Sequence, residues 1–149
     1  MGAIYDALRA AFTATGLAVD EHPDDGWMVT DGFGDQGSWF LVGEAYERRE
    51  LAVVHAVYPA TVPDHQRAAV AMLLTHINDG LVLGNFQLDL STGTIRVKSS
   101  ARVGRDPDPE LIDSLILTAH SLADRYLPAV SAVALGGDIA SAVAGLNAA

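Results

Sequence analysis

The stretch His76–Arg102, HINDGLVLGNFQLDLSTGTIRVKSSAR, constrains the fold of this chain more than any other. It reads as the end of a helix, a turn and then a β-hairpin. From Phe86, apolar residues alternate with polar ones: Phe86, Leu88 and Leu90 against Gln87 and Asp89. After Ser91-Thr92-Gly93-Thr94 the alternation resumes, with Ile95 and Val97 against Arg96 and Lys98. A period of two sends alternate side chains to opposite faces of a sheet. One face of this hairpin therefore needs a cover, and the rest of the chain must supply it. With Thr92-Gly93 as a two-residue turn, Leu90 is expected opposite Ile95, Asp89 opposite Arg96, Leu88 opposite Val97 and Gln87 opposite Lys98. Apolar then meets apolar and opposite charges meet.

The other elements follow from periodicity and turn chemistry. Ile4, Leu8 and Phe12 recur at helical spacing over Ala3 to Thr15, and Gly16 suits a helix stop. Leu17 to Glu21 is a candidate short strand. His22-Pro23-Asp24-Asp25-Gly26 is a turn, and Trp27 to Thr30 a strand. Ser38 to Tyr46 is strand-like. Leu51 to Tyr58 is apolar on both faces, which argues a strand covered on both sides. The domain's own helices would form one cover and a partner the other. A helix is predicted from Pro63 to about Asn78, with Val70, Leu73, Leu74 and Ile77 as its buried stripe. A long last helix opens at Asp108-Pro109 and is expected to kink or break near Asp124, because Pro128 lacks the N–H that would bond there. The predicted class is α+β, with a single antiparallel sheet of about five strands packed by helices in the order α-β-β-β-α-β-β-α. Residues 1–135 form the domain. Residues 136–149 form an Ala-rich tail, a short helix or flexible, with Asp138 as a cap for Ile139, Val143 and Leu146.

Composition closes off several chemistries. The chain has no cysteine, which removes disulfides, thiolate metal sites and a thiol nucleophile. Its net charge of −10 opposes non-specific nucleic-acid binding, which needs clustered positive charge, and suits a cytoplasmic protein or a basic partner. The first residues carry neither the cationic segment nor the apolar core of a signal peptide. Residues 127–149 are a poor membrane span, interrupted by Pro128, Gly136, Gly137 and Gly145.

The candidate motifs are weak ones. Gly32-Phe33-Gly34-Asp35-Gln36-Gly37 has the GxGxxG form, yet a β-rich run follows it where a phosphate-binding helix should start. Asp24, Asp25, Asp31 and Asp35 read as turn carboxylates. Gln36 and Val42 stand where an EF-hand beginning at Asp31 would need glycine and glutamate. No pair among His22, His55, His65, His76 and His120 has zinc-protease spacing. Arg96, Lys98 and Arg102 are three of nine basic residues and form a weak candidate polar face, with no aromatic residue interleaved.

The element order, with Tyr58-Pro59, His76-Ile77-Asn78, Gly84-Asn85-Phe86 and the hairpin to Ser100, resembles the YbjN-domain family over roughly Ala3 to Leu135. That resemblance implies a fold like the type III secretion chaperones, a one-layer antiparallel sheet packed by helices, commonly dimeric. It implies no cofactor and no active site.

These readings together predict a non-enzymatic protein-interaction module, chaperone-like or regulatory, with a protein partner or client and a homodimeric state. No cofactor, metal, nucleic acid or membrane is expected. The candidate partner or dimer surface is Trp39, Leu41, Leu51, Val53, His55 and Val57. The alternative is a small-molecule binder or enzyme with a pocket between the sheet and the last helix, using His55, Tyr58 and His120.

Overall fold

A computed structural model describes residues 2–148. It contains four helices and six strands: α1 (Ala3–Thr13), β1 (Asp20–His22), β2 (Trp27–Phe33), β3 (Ser38–Tyr46), β4 (Leu51–Val57), α2 (Arg67–Asp79), β5 (Asn85–Leu88), β6 (Ile95–Arg102), α3 (Pro109–Ala134) and α4 (Ile139–Ala148). The strands form one wholly antiparallel sheet in the order β1-β2-β3-β4-β6-β5. β1, the three-residue edge, overlaps the candidate short strand Leu17–Glu21 and brings the sheet to six.

The alternation read from the sequence sorts the sheet into an inner and an outer face. Met28, Leu41, Val54, Ala56 and Val97 point inward and are fully buried, with Ile4, Leu8 and Phe12 of α1, Val70 and Leu73 of α2, and Ile112 and Ala119 of α3. The helices therefore form a single layer on the inner face. α4 adds to that layer: Ile139, Ala142, Val143 and Leu146 pack on the core, and Asp138 caps it by accepting from the Ser141 N–H at 3.0 Å.

Two local expectations change. Leu88 pairs with Ile95, Gln87 with Arg96 and Phe86 with Val97, a register two residues from the one expected. The connection is longer than two residues because Asp89 builds a turn of its own. Its carboxylate accepts from the Ser91 N–H (2.9 Å), the Ser91 hydroxyl (2.6 Å) and the Thr92 N–H (3.3 Å). A two-residue shift keeps every side chain on its face, so the core survives while the charge pairing changes. Arg96 Nε donates to Gln87 Oε1 at 3.0 Å instead of meeting Asp89. The second change is that the helix does not break at Pro128: α3 runs as one helix from Pro109 to Ala134.

At the other end of β5, Asn78 takes the place of a strand partner. Its Oδ1 accepts from the Phe86 N–H at 2.7 Å and its Nδ2 donates to the Phe86 carbonyl at 3.0 Å. That pair ties the end of α2 to the edge of the sheet and leaves no buried backbone group unpaired there.

Candidate functional site

The outer face of the sheet has no helix over it. An antiparallel sheet faces water readily on one side when that side is polar. Here the middle is apolar. Phe33, Phe40 and Tyr46 are 64%, 44% and 40% exposed, and Val29, Val42, Leu51 and Val57 are half-buried beside them.

The structure divides the predicted surface. Leu51, Val53, His55 and Val57 alternate along β4 and all lie on the outer face. Trp39 and Leu41 leave the set: they point inward, 2% and 0% exposed, under the helices. Ser38 to Val42 reads as a nearly continuous apolar run, so its parity was not evident from the run alone. The outer members of β3 are Phe40, Val42 and Glu44, set by their pairing with Val57, His55 and Val53.

His55 is the most constrained polar group on this face. Its Nε2 lies 3.1 Å from Glu44 Oε1, and its Nδ1 is buried without a partner among the described residues. Burial lowers its pKa most; Glu44 opposes that, while Arg96 and Lys98 add to it. The neutral ring with its proton on Nε2, donating to Glu44, satisfies these contacts. The Tyr46 hydroxyl donates to the other Glu44 oxygen. Glu44 is thereby held between His55 and Tyr46.

Two shallow depressions flank the apolar middle. One, about 420 Å³, is bordered by Arg49, Lys98 and Arg102 around Leu51, Val53 and His55. The other, about 440 Å³, is bordered by Asp20 and Asp31 beside Val29 and Phe40. The two carry opposite charge.

The alternative site does not assemble. His55 lies on the outer face, whereas Tyr58 and His120 are used in the core. The Tyr58 hydroxyl donates to the Ala123 carbonyl at 2.7 Å, and burial pushes its pKa above the usual range. Trp39 Nε1 donates to His120 Nδ1 at 3.1 Å. The nearby space bordered by Tyr58, Leu127 and Val130 is about 190 Å³ and almost wholly apolar in its lining. The glycine-rich run also serves packing. A Cβ on Gly34 would sit 2.3 Å from Asp124 Oδ1, the atom that accepts from the Gln36 N–H at 2.8 Å. Glycine here lets the β2–β3 turn close onto α3, with no phosphate-binding helix following. Among the described residues no three His, Asp or Glu side chains come together as metal ligands, and no helix is long and apolar enough to cross a membrane.

The family model described as "Putative bacterial sensory transduction regulator", YbjN, matches residues 5–132. The chain belongs to the YbjN family. The fold agrees: E. coli YbjN, whose crystal structure is titled as that of "a putative transcription regulator", superposes with a TM-score of 0.60 at 16% identity. The match covers 78% of this chain and 83% of the E. coli chain. No curated protein matches the sequence. The YbjN family is named for regulation and not for an enzymatic activity.

Two histidines, His55 on the outer face and His120 against the core, give this YbjN domain a defined response to acid. The His120 pKa is lowered by burial, with Asp124 opposing, and protonating Nδ1 would turn the acceptor of the Trp39 bond into a donor. His55 is lowered as well. The unfolded chain therefore takes up protons near pH 6.5, which the fold refuses. Stability is full above that pH and falls as pH drops from about 6.5 toward the depressed folded values. Urea midpoints at pH 7.5 and 5.5 are expected to show this loss, and His120→Gln is expected to reduce it. A midpoint independent of pH over that interval would contradict the assignment of neutral rings.

Proposed function

We propose that this YbjN domain is a non-enzymatic regulatory module, chaperone-like in using its surface to hold another polypeptide, and that it acts as a homodimer in the cytoplasm. The carrying observation is the outer sheet face, helix-free and apolar along its centre from Phe40 and Val42 to Val53 and Val57. An apolar face of that kind is a contact surface. Six strands by about seven residues span roughly 600 Å² in projection. That approaches the roughly 800 Å² per partner of a standard interface.

Light scattering on a size-exclusion column tests the reading. The wild type is expected to elute as a dimer at micromolar concentration. Phe40→Lys, at a position 44% exposed, is expected to elute as a monomer with an unchanged far-ultraviolet circular dichroism spectrum. A wild type that stays monomeric across that range would remove the dimer from the proposal.

A further inference from the structure

The outer face is sorted by charge in rows. Strand pairing sets residues at equal height across the sheet. One row runs Asp31, Phe40, Val57, Arg96, Gln87. The next runs Asp20, Val29, Val42, His55, Lys98, Asn85. Another runs Tyr46, Leu51, Arg102. It begins beside the turn of Asp24 and Asp25, where the Ala45 N–H donates to the Gly26 carbonyl at 2.8 Å. The first two rows have a carboxylate on β1 or β2, a cation on β6 and mostly apolar residues between; the third carries the cation Arg102 and ends at Tyr46 on β3. The row of His22, Trp27, Glu44, Val53 and Ser100 has no Lys or Arg, and its Glu44 is bonded to His55 and Tyr46.

The separated charges do not pair across the face: Arg96 bonds the Gln87 amide, Arg102 donates to the Arg49 carbonyl at 3.3 Å, and Asp20 lies 3.2 Å from His22 Nε2. Among the described residues, Asp31, Arg96, Lys98 and Arg102 form no ion pair. β2 and β6 are three strand spacings apart, about 14 Å, too far for direct pairing.

Resting on the self-association reading above, we propose that a second copy packs on this face about a two-fold axis parallel to the strands, between β3 and β4. Two copies packed face to face have their two-fold axis in the interface plane. An axis perpendicular to the strands would lay β6 over the partner's β6 with its direction reversed, setting Arg96 against the partner's Arg102 twice. An axis parallel to the strands keeps each residue's height and reverses strand order. The sequence β1-β2-β3-β4-β6-β5 then places β6 over the partner's β2, β4 over its β3 and β5 over its β1. Arg96 meets the partner's Asp31. Lys98 meets the partner's Val29 beside the partner's Asp20. The symmetry makes every pair twice. Aligned sheets cross at about 30°, which displaces β6 by roughly one residue's rise, within the reach of Arg and Lys side chains. The apolar centre supplies affinity and the flanking charges select the orientation.

Charge reversal tests the axis. Arg96→Asp sets Asp against the partner's Asp31 twice, and Asp31→Arg sets Arg against the partner's Arg96 twice. Both residues are exposed, and thermal melts followed by circular dichroism check that each variant folds. Sedimentation equilibrium is expected to show each single variant dissociating at least tenfold more readily than wild type. The double variant Asp31→Arg/Arg96→Asp, and an equimolar mixture of the two single variants, are expected to return to within about threefold of wild type. A dimeric wild type whose single variants are unaffected, or whose double variant is not rescued, would overturn this axis and leave the self-association reading standing. A monomeric wild type would remove both.

Discussion

Trp39→Ala is expected to destabilise the domain by about 3–5 kcal/mol, the range for removing a large aromatic side chain from a packed core. Trp39 is 2% exposed, sits edge-on to His120 with ring centroids 5.5 Å apart, and donates to His120 Nδ1. Truncation removes the ring and leaves the His120 acceptor unpaired in a buried place, and both effects destabilise. Urea denaturation followed by circular dichroism measures it. The result also separates two placements of the residue. A Trp39 on a partner surface would leave stability almost unchanged and weaken association. A Trp39 in the core moves the urea midpoint first. A midpoint within experimental scatter of wild type would refute the inward placement.

The second large effect is expected at Gly93, in the hairpin turn. Its φ is +79°, and an added Cβ would stand 2.3 Å from the Val62 carbonyl oxygen. The two segments are joined there: the Val62 N–H donates to the Gly93 carbonyl at 2.8 Å, and Arg67 Nε donates to the Val62 carbonyl at 3.1 Å. Gly93→Ala adds left-handed strain of about 1–2 kcal/mol and puts the Val62 bond at risk, about another 1 kcal/mol. Gly104 is the matched control. It has φ +76° with nothing within 4 Å of an added Cβ, so Gly104→Ala carries the conformational term alone. The expected outcome is a loss of roughly 2–3 kcal/mol at Gly93 and about 1–2 kcal/mol at Gly104. Equal losses at the two sites would show that the close approach to Val62 costs nothing.

The hairpin shows how far the residues alone carry the reading. The alternation in Phe86 to Leu90 and in Ile95 to Lys98 is a local property, legible because side chains alternate strictly along a strand. The register depends on the loop, and the loop depends on Asp89. An aspartate followed by Ser91 and Thr92 can pair across the hairpin or cap its own turn, and a paired arginine lies in plain view of the sequence. The local bonds to Ser91 and Thr92 prevail, and Arg96 bonds Gln87 in place of Asp89. The same holds for the candidate surface. Leu51, Val53, His55 and Val57 share a face by parity. Trp39 and Leu41 belong to a run in which both parities are apolar, so only pairing with β4 decides which side they take.

The amino-acid sequence by itself determined the element order, the single antiparallel sheet, the absence of thiol chemistry and the membership in a regulator family. These rest on patterns that act over a few residues or over the whole composition. Tertiary structure alone decided the facing of β3, with Phe40, Val42 and Glu44 on the outer face and Trp39 and Leu41 under the helices. It also decided that Asp20 and Asp31 stand in the same rows as Lys98 and Arg96. Those pairs lie more than sixty residues apart in the chain, and only the strand order β1-β2-β3-β4-β6-β5 brings them to equal height at opposite sides of one surface.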